Sequence, residues 1–554
     1  NAVGNGVKWA INASSSSRYI LSFRFANGGS SNRNGSLLIN GGSNGNYTVE
    51  LPTTGSWAAW QIASIEVDLV QGNNTVQLSA LTAEGLPNMD YLQVTGAAAT
   101  PGSCSGAPAS SAMATSSVAS SSVTSSAPPS SSSSTPTYSN ERIRIINTTD
   151  LNADPDDEQS MVRQLVMANL FDIEGLIVST SCWKKTQTST AALDKLLNAY
   201  NQALPNLKKH ADGFPSYEYL KSVSTMGQRG YGMGDVGAGK ATAGSNLIIA
   251  AADKNDARPL WVTCWGGCNT IAQAVWDVRN TRSANDFNKF LSKLRIYDVL
   301  GQDDAGAWLT KNFPDLFFIR ATGVYGWAPS DSWVSTNVQS HGALGAAYPN
   351  RKYATEGDSP AFMHLIPNGL HDPEKVDQGG WGGRFDTNKK SGIRGMSPVT
   401  NEAQYDTYKM FGNTAEGTSA ISRWKPAIDN DFQARMDWSI KNNYADANHH
   451  PIAVVNGNSS TQVLYLNASA GSGVALTAAG SSDPDNNGLA YAWSYYDEPS
   501  SYNGSVTINN STSANATVQI PSGASGKNLH IILTLRDNGS PNLYAYRRVI
   551  INVQ

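Results

Sequence analysis

The residues of this chain best suited to chemistry are carboxylates, and they are unevenly spread. Asp150, Asp154, Asp156 and Asp157 fall within eight positions. Negative charge at that density costs free energy unless a cation, a proton or an electropositive ligand compensates it. Further acids stand in loops: Asp303 and Asp304, then Glu356 and Asp358 in Thr355-Glu356-Gly357-Asp358-Ser359-Pro360, then Asp372 beside His371. Cleaving a glycosidic bond takes one carboxylate to activate water or attack the anomeric carbon, and an acid for the leaving oxygen. The catalytic candidates are therefore Asp150, Asp156, Asp157, Asp303, Glu356, Asp358, His371 and Asp372. Plainer roles compete: an Asp as helix N-cap, Asp303-Asp304 capping a helix at 305–311, and His371 as a structural residue in a Pro-flanked turn.

Aromatic side chains form the second group. An indole face stacks on the apolar C–H face of a pyranose, and an amide both donates to and accepts from hydroxyls. Fourteen tryptophans favour a saccharide over a bare nucleoside as ligand. Gly379-Gly380-Trp381-Gly382-Gly383-Arg384 lacks the lysine and spacing of a phosphate cradle but suits close approach of backbone to a sugar. Asn152, Trp265, Asn269, Trp381 and Arg384 are the substrate-binding candidates here, with Trp57 and Asn88 near the N-terminus.

The elements that must position these groups form an α/β pattern. Ile143 to Thr149 reads as a buried strand running into the first acids, and apolar residues resume at helical spacing from Met161 to Leu170. Ile173–Ser179, Asn246–Ala251, Pro259–Cys264 and Leu316–Ile319 read as further strands, with helices at Thr270–Val278 and Ala284–Leu294. Alternating strands and helices predict a largely parallel sheet, whose ligand sites lie beyond the strands' C-terminal ends. The expected organisation is multidomain: a β-sandwich over 1–96, a Ser-rich linker over 97–138, the α/β domain over 139–426 and a second β-sandwich over 427–554. A linker of about 40 residues reaches roughly 35 Å as a flexible coil.

Composition narrows the classes. Charged residues make up 15% of the 554 and the formal net charge is -4 without a basic block, so nucleic acid is not an expected partner. No apolar run approaches the ~20 residues of a membrane span. The chain opens on Asn1 in mid-pattern, so an N-terminally trimmed, secreted protein is expected. Of four cysteines, Cys182, Cys264 and Cys268 lie in the α/β region; a disulfide from Cys182 to either of the others stays open.

Several ordered motifs carry resemblances. Gly6-Val7-Lys8-Trp9, Arg18 to Gly28, Ile39-Asn40-Gly41, Thr54 to Trp60, Gly72 to Val76 and Pro87 to Leu92 together resemble the jelly-roll carbohydrate-binding modules of families 35 and 6. That resemblance implies a sugar site at Trp57 and Asn88, and at Asp90 a ligand of a structural calcium whose remaining ligands lie in an opening strand absent from the chain. Thr149-Asp150-Leu151-Asn152-Ala153-Asp154-Pro155-Asp156-Asp157, Cys268-Asn269-Thr270-Ile271-Ala272 and His371-Asp372 resemble nucleoside hydrolases, in which an aspartate-rich loop holds calcium, the late Asp is a further ligand and the His sits near the leaving group. Asn152 and Asp154 depart from the loop pattern: an amide contributes no charge, so calcium at Asp157 is an open expectation, weaker than in those enzymes. Asp156 to Arg163, Trp265-Gly266-Gly267, Gln302 to Gly306 and Gly379 to Arg384 resemble a secreted cellulose-binding protein family with a nucleoside hydrolase-like domain. Ser481 to Trp493 resembles Ig-like domains of the polycystic-kidney-disease type.

The function expected is a secreted glycoside hydrolase acting on a plant or microbial polysaccharide or its oligosaccharides. A non-catalytic cellulose- or hemicellulose-binding protein is the alternative, and a secreted nucleoside hydrolase the third.

Overall fold

The computed structural model describes residues 6–43, 45–57, 59–95, 99–101, 142–396 and 401–554, in two units, Asn1–Ser132 and Ser133–Gln554. From residue 102 the expected linker lies outside the described residues.

The first unit is a β-sandwich of β1 (Gly6–Ala13), β2 (Ser17–Ala26), β3 (Gly35–Ile39), β4 (Asn46–Val49), β5 (Gln61–Leu69), β6 (Gly72–Ala80), β7 (Asn88–Thr95) and β8 (Ala99–Pro101). One sheet runs β4-β3-β6-β1-β8 and the other β5-β2-β7. Alternation in β2 turns Tyr19, Leu21, Phe23 and Phe25 into the core between them. β8 pairs with β1 inside the stretch expected as linker, so regular structure extends past residue 96.

The second unit holds an eight-stranded sheet. Its strands are β9 (Ile143–Thr149), β10 (Phe171–Val178), β11 (Ser224–Met226), β12 (Leu260–Cys264), β13 (Leu294–Val299), β14 (Phe317–Ala321), β15 (Lys390–Ser391) and β16 (Lys409–Gly412). The order is β11-β10-β9-β12-β13-β14-β16-β15, parallel except for the β15–β16 edge pair. β9 sits between β10 and β12, the point where strand order reverses, and its C-terminal end is where such sheets place ligands. Both faces are covered, which is why the strands are apolar on both sides. Ile146, Ile177, Val262 and Ile296 pack against α4 (Ala243–Asp253), α5 (Asn269–Thr281), α6 (Ala284–Lys293) and α7 (Ala305–Asn312). Ile145, Leu176, Trp261 and Tyr297 face α1 (Asp156–Val166), α2 (Ala191–His210) and the helix Lys425–Ile440.

Two expectations fail here. Asn246–Ala251 is not a strand but part of α4. Thr242 and Ser245 form a reciprocal capping box at its start, and an apolar run of five cannot by itself distinguish helix from buried strand. The boundary at 426/427 falls inside the helix Lys425–Ile440, whose Ile428, Phe432 and Met436 belong to the α/β core.

The C-terminal sandwich comprises β17 (Leu464–Ala468), β18 (Gly473–Thr477), β19 (Ala490–Tyr496), β20 (Thr507–Asn509), β21 (Asn515–Gln519), β22 (Asn528–Arg536) and β23 (Tyr544–Val553), in sheets β17-β23-β22-β19 and β18-β21-β20. It is joined tightly to the α/β body. The backbone N–H groups of Tyr546 and Arg548 donate to Asn368 and Gly369 carbonyls. The buried Arg548 guanidinium donates to the carbonyls of Leu370, Gln378 (2.6 Å) and Gly379 (2.9 Å). Arg548→Met keeps the apolar stem and strands those carbonyls; urea unfolding should show a loss of about 3 kcal/mol, and a change below about 1 kcal/mol would contradict a clamping role.

Candidate active site

β9 delivers the chain to Asp150, and the turn to α1 is tight. Asn152 adopts a left-handed conformation (φ 68°), and the Asp154 carboxylate accepts from the Asp156 N–H (3.1 Å). α1 then opens on Asp156, Asp157 and Glu158, a placement the positive end of a helix favours. The Thr149 hydroxyl donates to the Asp157 carboxylate. Asp358, from a distant loop, completes the group: carboxylate oxygens of Asp156, Asp157 and Asp358 all lie within 4.8 Å of one another. The three side chains and Asp150 are buried, and Asp150 Oδ1 and Asp358 Oδ2 have no hydrogen-bond partner among the described residues.

Burial, then mutual repulsion, sets the electrostatics. Desolvation pushes Asp150 up to about 7, against a hydrogen bond from Ser181 and with Asp154 adding to the rise. The same causes hold Asp156, Asp157 and Asp358 well above the usual carboxylate range. Desolvation also raises the Tyr325 phenol, whose hydroxyl lies 3.4 Å from Asp156 Oδ2.

Glu356 is not in this cluster. Its carboxylate forms a two-point ion pair with Arg163 of α1, both fully buried, and also accepts from the Tyr348 (2.8 Å) and Ser359 (2.9 Å) hydroxyls. Arg163 lies over the Phe432 ring at 3.9 Å and donates to the Ile428 carbonyl (3.2 Å). This ties the loop carrying Asp358 to the helix carrying Asp156 and Asp157. Glu356 is thus a positioning residue, not a catalytic candidate.

On the other side of Asp150, the turn after β12 passes too close for any side chain. A Cβ on Gly266 would meet Asp150 Oδ1 at 2.7 Å, and one on Gly267 would meet Asp303 Oδ2 at 2.3 Å. A Cys264–Cys268 disulfide closes this turn, while Cys182 is free and buried, which answers the pairing that the sequence left open. Asp303 is pushed up to about 7, mainly by burial, although it accepts from the N–H groups of Asn269 and Ala305 (3.0 Å each). Those bonds cap α5 and α7. The buried Asn269 amide is engaged by Ser179, Thr180 and Gly230, and Trp265 is buried against Phe362.

The remaining expected residues stand apart. His371 packs on His364 (4.9 Å) and touches Gly380; burial depresses its imidazole well below the usual range, so it is neutral. Asp372 lies two residues from Glu374, which pairs with Arg295 near the N-terminal end of β13. Neither His371 nor Asp372 belongs to the group formed by Asp156, Asp157 and Asp358. Trp381 is buried, edge-on to Tyr546, and Arg384 pairs with Glu416, so the glycine-rich loop is a seat for the C-terminal sandwich. Asn152 is exposed at the rim. In the first unit, Trp57 is 44% exposed, with Arg33 over its ring at 4.8 Å and the exposed Asn88 amide donating to its carbonyl (3.3 Å). Asp90 pairs with Arg24. Thr149, Arg163 and Ser181 escaped sequence reasoning because nothing marks a hydroxyl or a helical arginine as a carboxylate's partner before the fold is known.

The Asp156, Asp157 and Asp358 set fits a hard divalent cation of the calcium class: all donors are oxygen, they converge, and Asp358 keeps a buried unpaired oxygen. A parallel sheet with a carboxylate centre at its switch point, preceded in the chain by one sandwich and followed by another, defines a nucleoside hydrolase-like domain within a carbohydrate-binding architecture. The chain belongs to the family described as "Cellulose-binding Sde182, nucleoside hydrolase-like domain", which matches 144–385; the family's C-terminal domain matches 473–553, and a family 6 carbohydrate-binding module matches 1–96. A solved nucleoside hydrolase-related hypothetical protein from Saccharophagus degradans, associated with carbohydrate metabolism, is 64% identical, with 75% of this chain and 100% of that one covered and a TM-score of 0.73. Two curated relatives from Cellvibrio japonicus match the N-terminal region: alpha-L-arabinofuranosidase C (64% identical; 20% of this chain, 18% of the relative) and endo-1,4-beta-xylanase B (67%; 19% and 17%). The chain thus spans less than a fifth of those two.

Two measurements test this geometry. Without a cation, Asp150 and Asp303 hold protons up to about pH 7, whereas the unfolded chain releases them near 3.8. Unfolding therefore releases protons in that window, and stability falls as pH rises through 7. The urea midpoint should be lower at pH 8 than at pH 5.5, and Asp150→Asn should shrink the difference; a flat profile would contradict the raised values. Glu356→Gln leaves Arg163 buried and half-paired, and denaturation should show a loss of roughly 3–5 kcal/mol.

Proposed function

We propose that the chain is a secreted glycoside hydrolase acting on a plant or microbial polysaccharide or its oligosaccharides, brought to substrate by its N-terminal carbohydrate-binding module. The observation that carries this reading is Asp150: a buried carboxyl with one oxygen unpaired at the ligand-binding end of the sheet, which burial pushes up to about 7 before any cation binds beside it. A group with that proton affinity can take a proton from water or give one to a leaving oxygen at neutral pH. Tyr325 can hold a sugar hydroxyl beside Asp156. Asp156, Asp157 and Asp358 would hold a calcium-class cation, which when bound supplies positive charge for orienting oxygens. The modules of the xylanase and arabinofuranosidase relatives point toward hemicellulose as the polymer.

One observation favours the second reading, a non-catalytic binding protein: Asp150, Asp157 and Asp358 are only 1–3% exposed. A panel of insoluble and soluble polysaccharides, assayed for new reducing ends, separates the two. Asp150→Asn should lower the rate roughly a hundred-fold or more. Full activity in that variant removes Asp150 from catalysis. Binding to the panel with no release from any member favours the second reading, and free base from inosine or uridine would favour a nucleoside hydrolase.

A further inference from the structure

Beside the carboxylate centre an indole is held in solvent by a closed turn. The Ser181 N–H donates to the Lys184 carbonyl (3.0 Å), and the Ser181 hydroxyl oxygen accepts from the N–H groups of Trp183 (3.0 Å) and Lys184 (3.1 Å). The Cys182 N–H donates to the Gln302 carbonyl (2.9 Å), which fixes the turn to the loop that carries Asp303. The Lys184 ammonium and the Gln187 amide donate to the Leu151 carbonyl at 3.1 and 3.0 Å, which fixes it to the aspartate turn. The turn that presents Trp183 is therefore tied on one side to Gln302, next to Asp303, and on the other to Leu151, next to Asp150. Within this rigid frame Trp183 is 51% exposed, whereas Trp261, Trp265 and Trp327 of the same body are fully buried. A half-exposed indole on a turn tied to both acidic loops offers an apolar face on which the C–H face of a pyranose can stack.

We infer that Trp183 is the stacking platform of a pyranose subsite adjoining the Asp150 centre, selecting a saccharide chain over a small nucleoside. The inference rests on the proposed site but reads binding rather than turnover. Titration calorimetry of the full chain with xylohexaose and cellohexaose tests it, in a Trp57→Ala background that weakens the N-terminal sugar site. Trp183→Ala should lower affinity ten-fold or more for at least one of them, Trp183→Tyr should recover much of it, and the thermal unfolding midpoint should fall only modestly, since about half the side chain is already in water. Unchanged affinity in Trp183→Ala overturns the platform, as does the absence of any binding outside the N-terminal module. Binding lost in Trp183→Ala without release of reducing ends by the parent protein keeps the platform and removes the hydrolase reading.

Discussion

The ion pair between Arg163 and Glu356 is the contact on which the site's geometry depends. The residues are 193 positions apart and fully buried. Burying two charges is repaid only when geometry is good and the leftover donors and acceptors are matched. Here Tyr348, Ser359, the Ile428 carbonyl and the faces of Phe432 and Trp327 supply that matching. The pair fixes α1 against the loop at 355–359, and so Asp358 arrives beside Asp156 and Asp157. The Lys425–Ile440 helix, supplying Phe432 and Ile428, is part of the same arrangement.

What the pair holds together is a group of carboxyls that oppose one another. Desolvation and repulsion both favour their protonated forms, so without a compensating ion the centre keeps protons at neutral pH. Three features limit the cost: the positive end of α1, the Thr149 and Ser181 hydroxyls, and the bare backbone of Gly266-Gly267 filling space where side chains would crowd the acids. The C-terminal sandwich contributes from a distance. Arg548 and Trp381 fix the 368–384 segment, whose glycines let the body and the sandwich approach closely.

Much of the architecture was legible in the sequence because periodicity encodes burial. A β-sandwich forms in each of the two segments expected to hold one, and β9, β10, β12 and β14 follow from short apolar runs. The Asn246–Ala251 run misled because its five apolar residues fit a buried strand or a helix face equally; the deciding signal was the polar cap before it. Glu356, His371, Trp381 and Arg384 misled for a shared reason. Residue type shows what a side chain can do, but Glu356 meets an arginine, His371 another imidazole, and Trp381 and Arg384 the C-terminal sandwich and its seat.

The sequence alone determined the three-part architecture, the carbohydrate context and the location of the aspartate turn, because these rest on local pattern and contiguous motifs. Only the tertiary structure decided which acids converge. Proximity of Asp358 to Asp157 depends on strand order and on a buried ion pair between residues far apart in the chain, and nothing in local spacing encodes either. The perturbed acidity of Asp150 is likewise a property of burial, which exists only once the sheet, α1 and the disulfide-closed turn have come together around it.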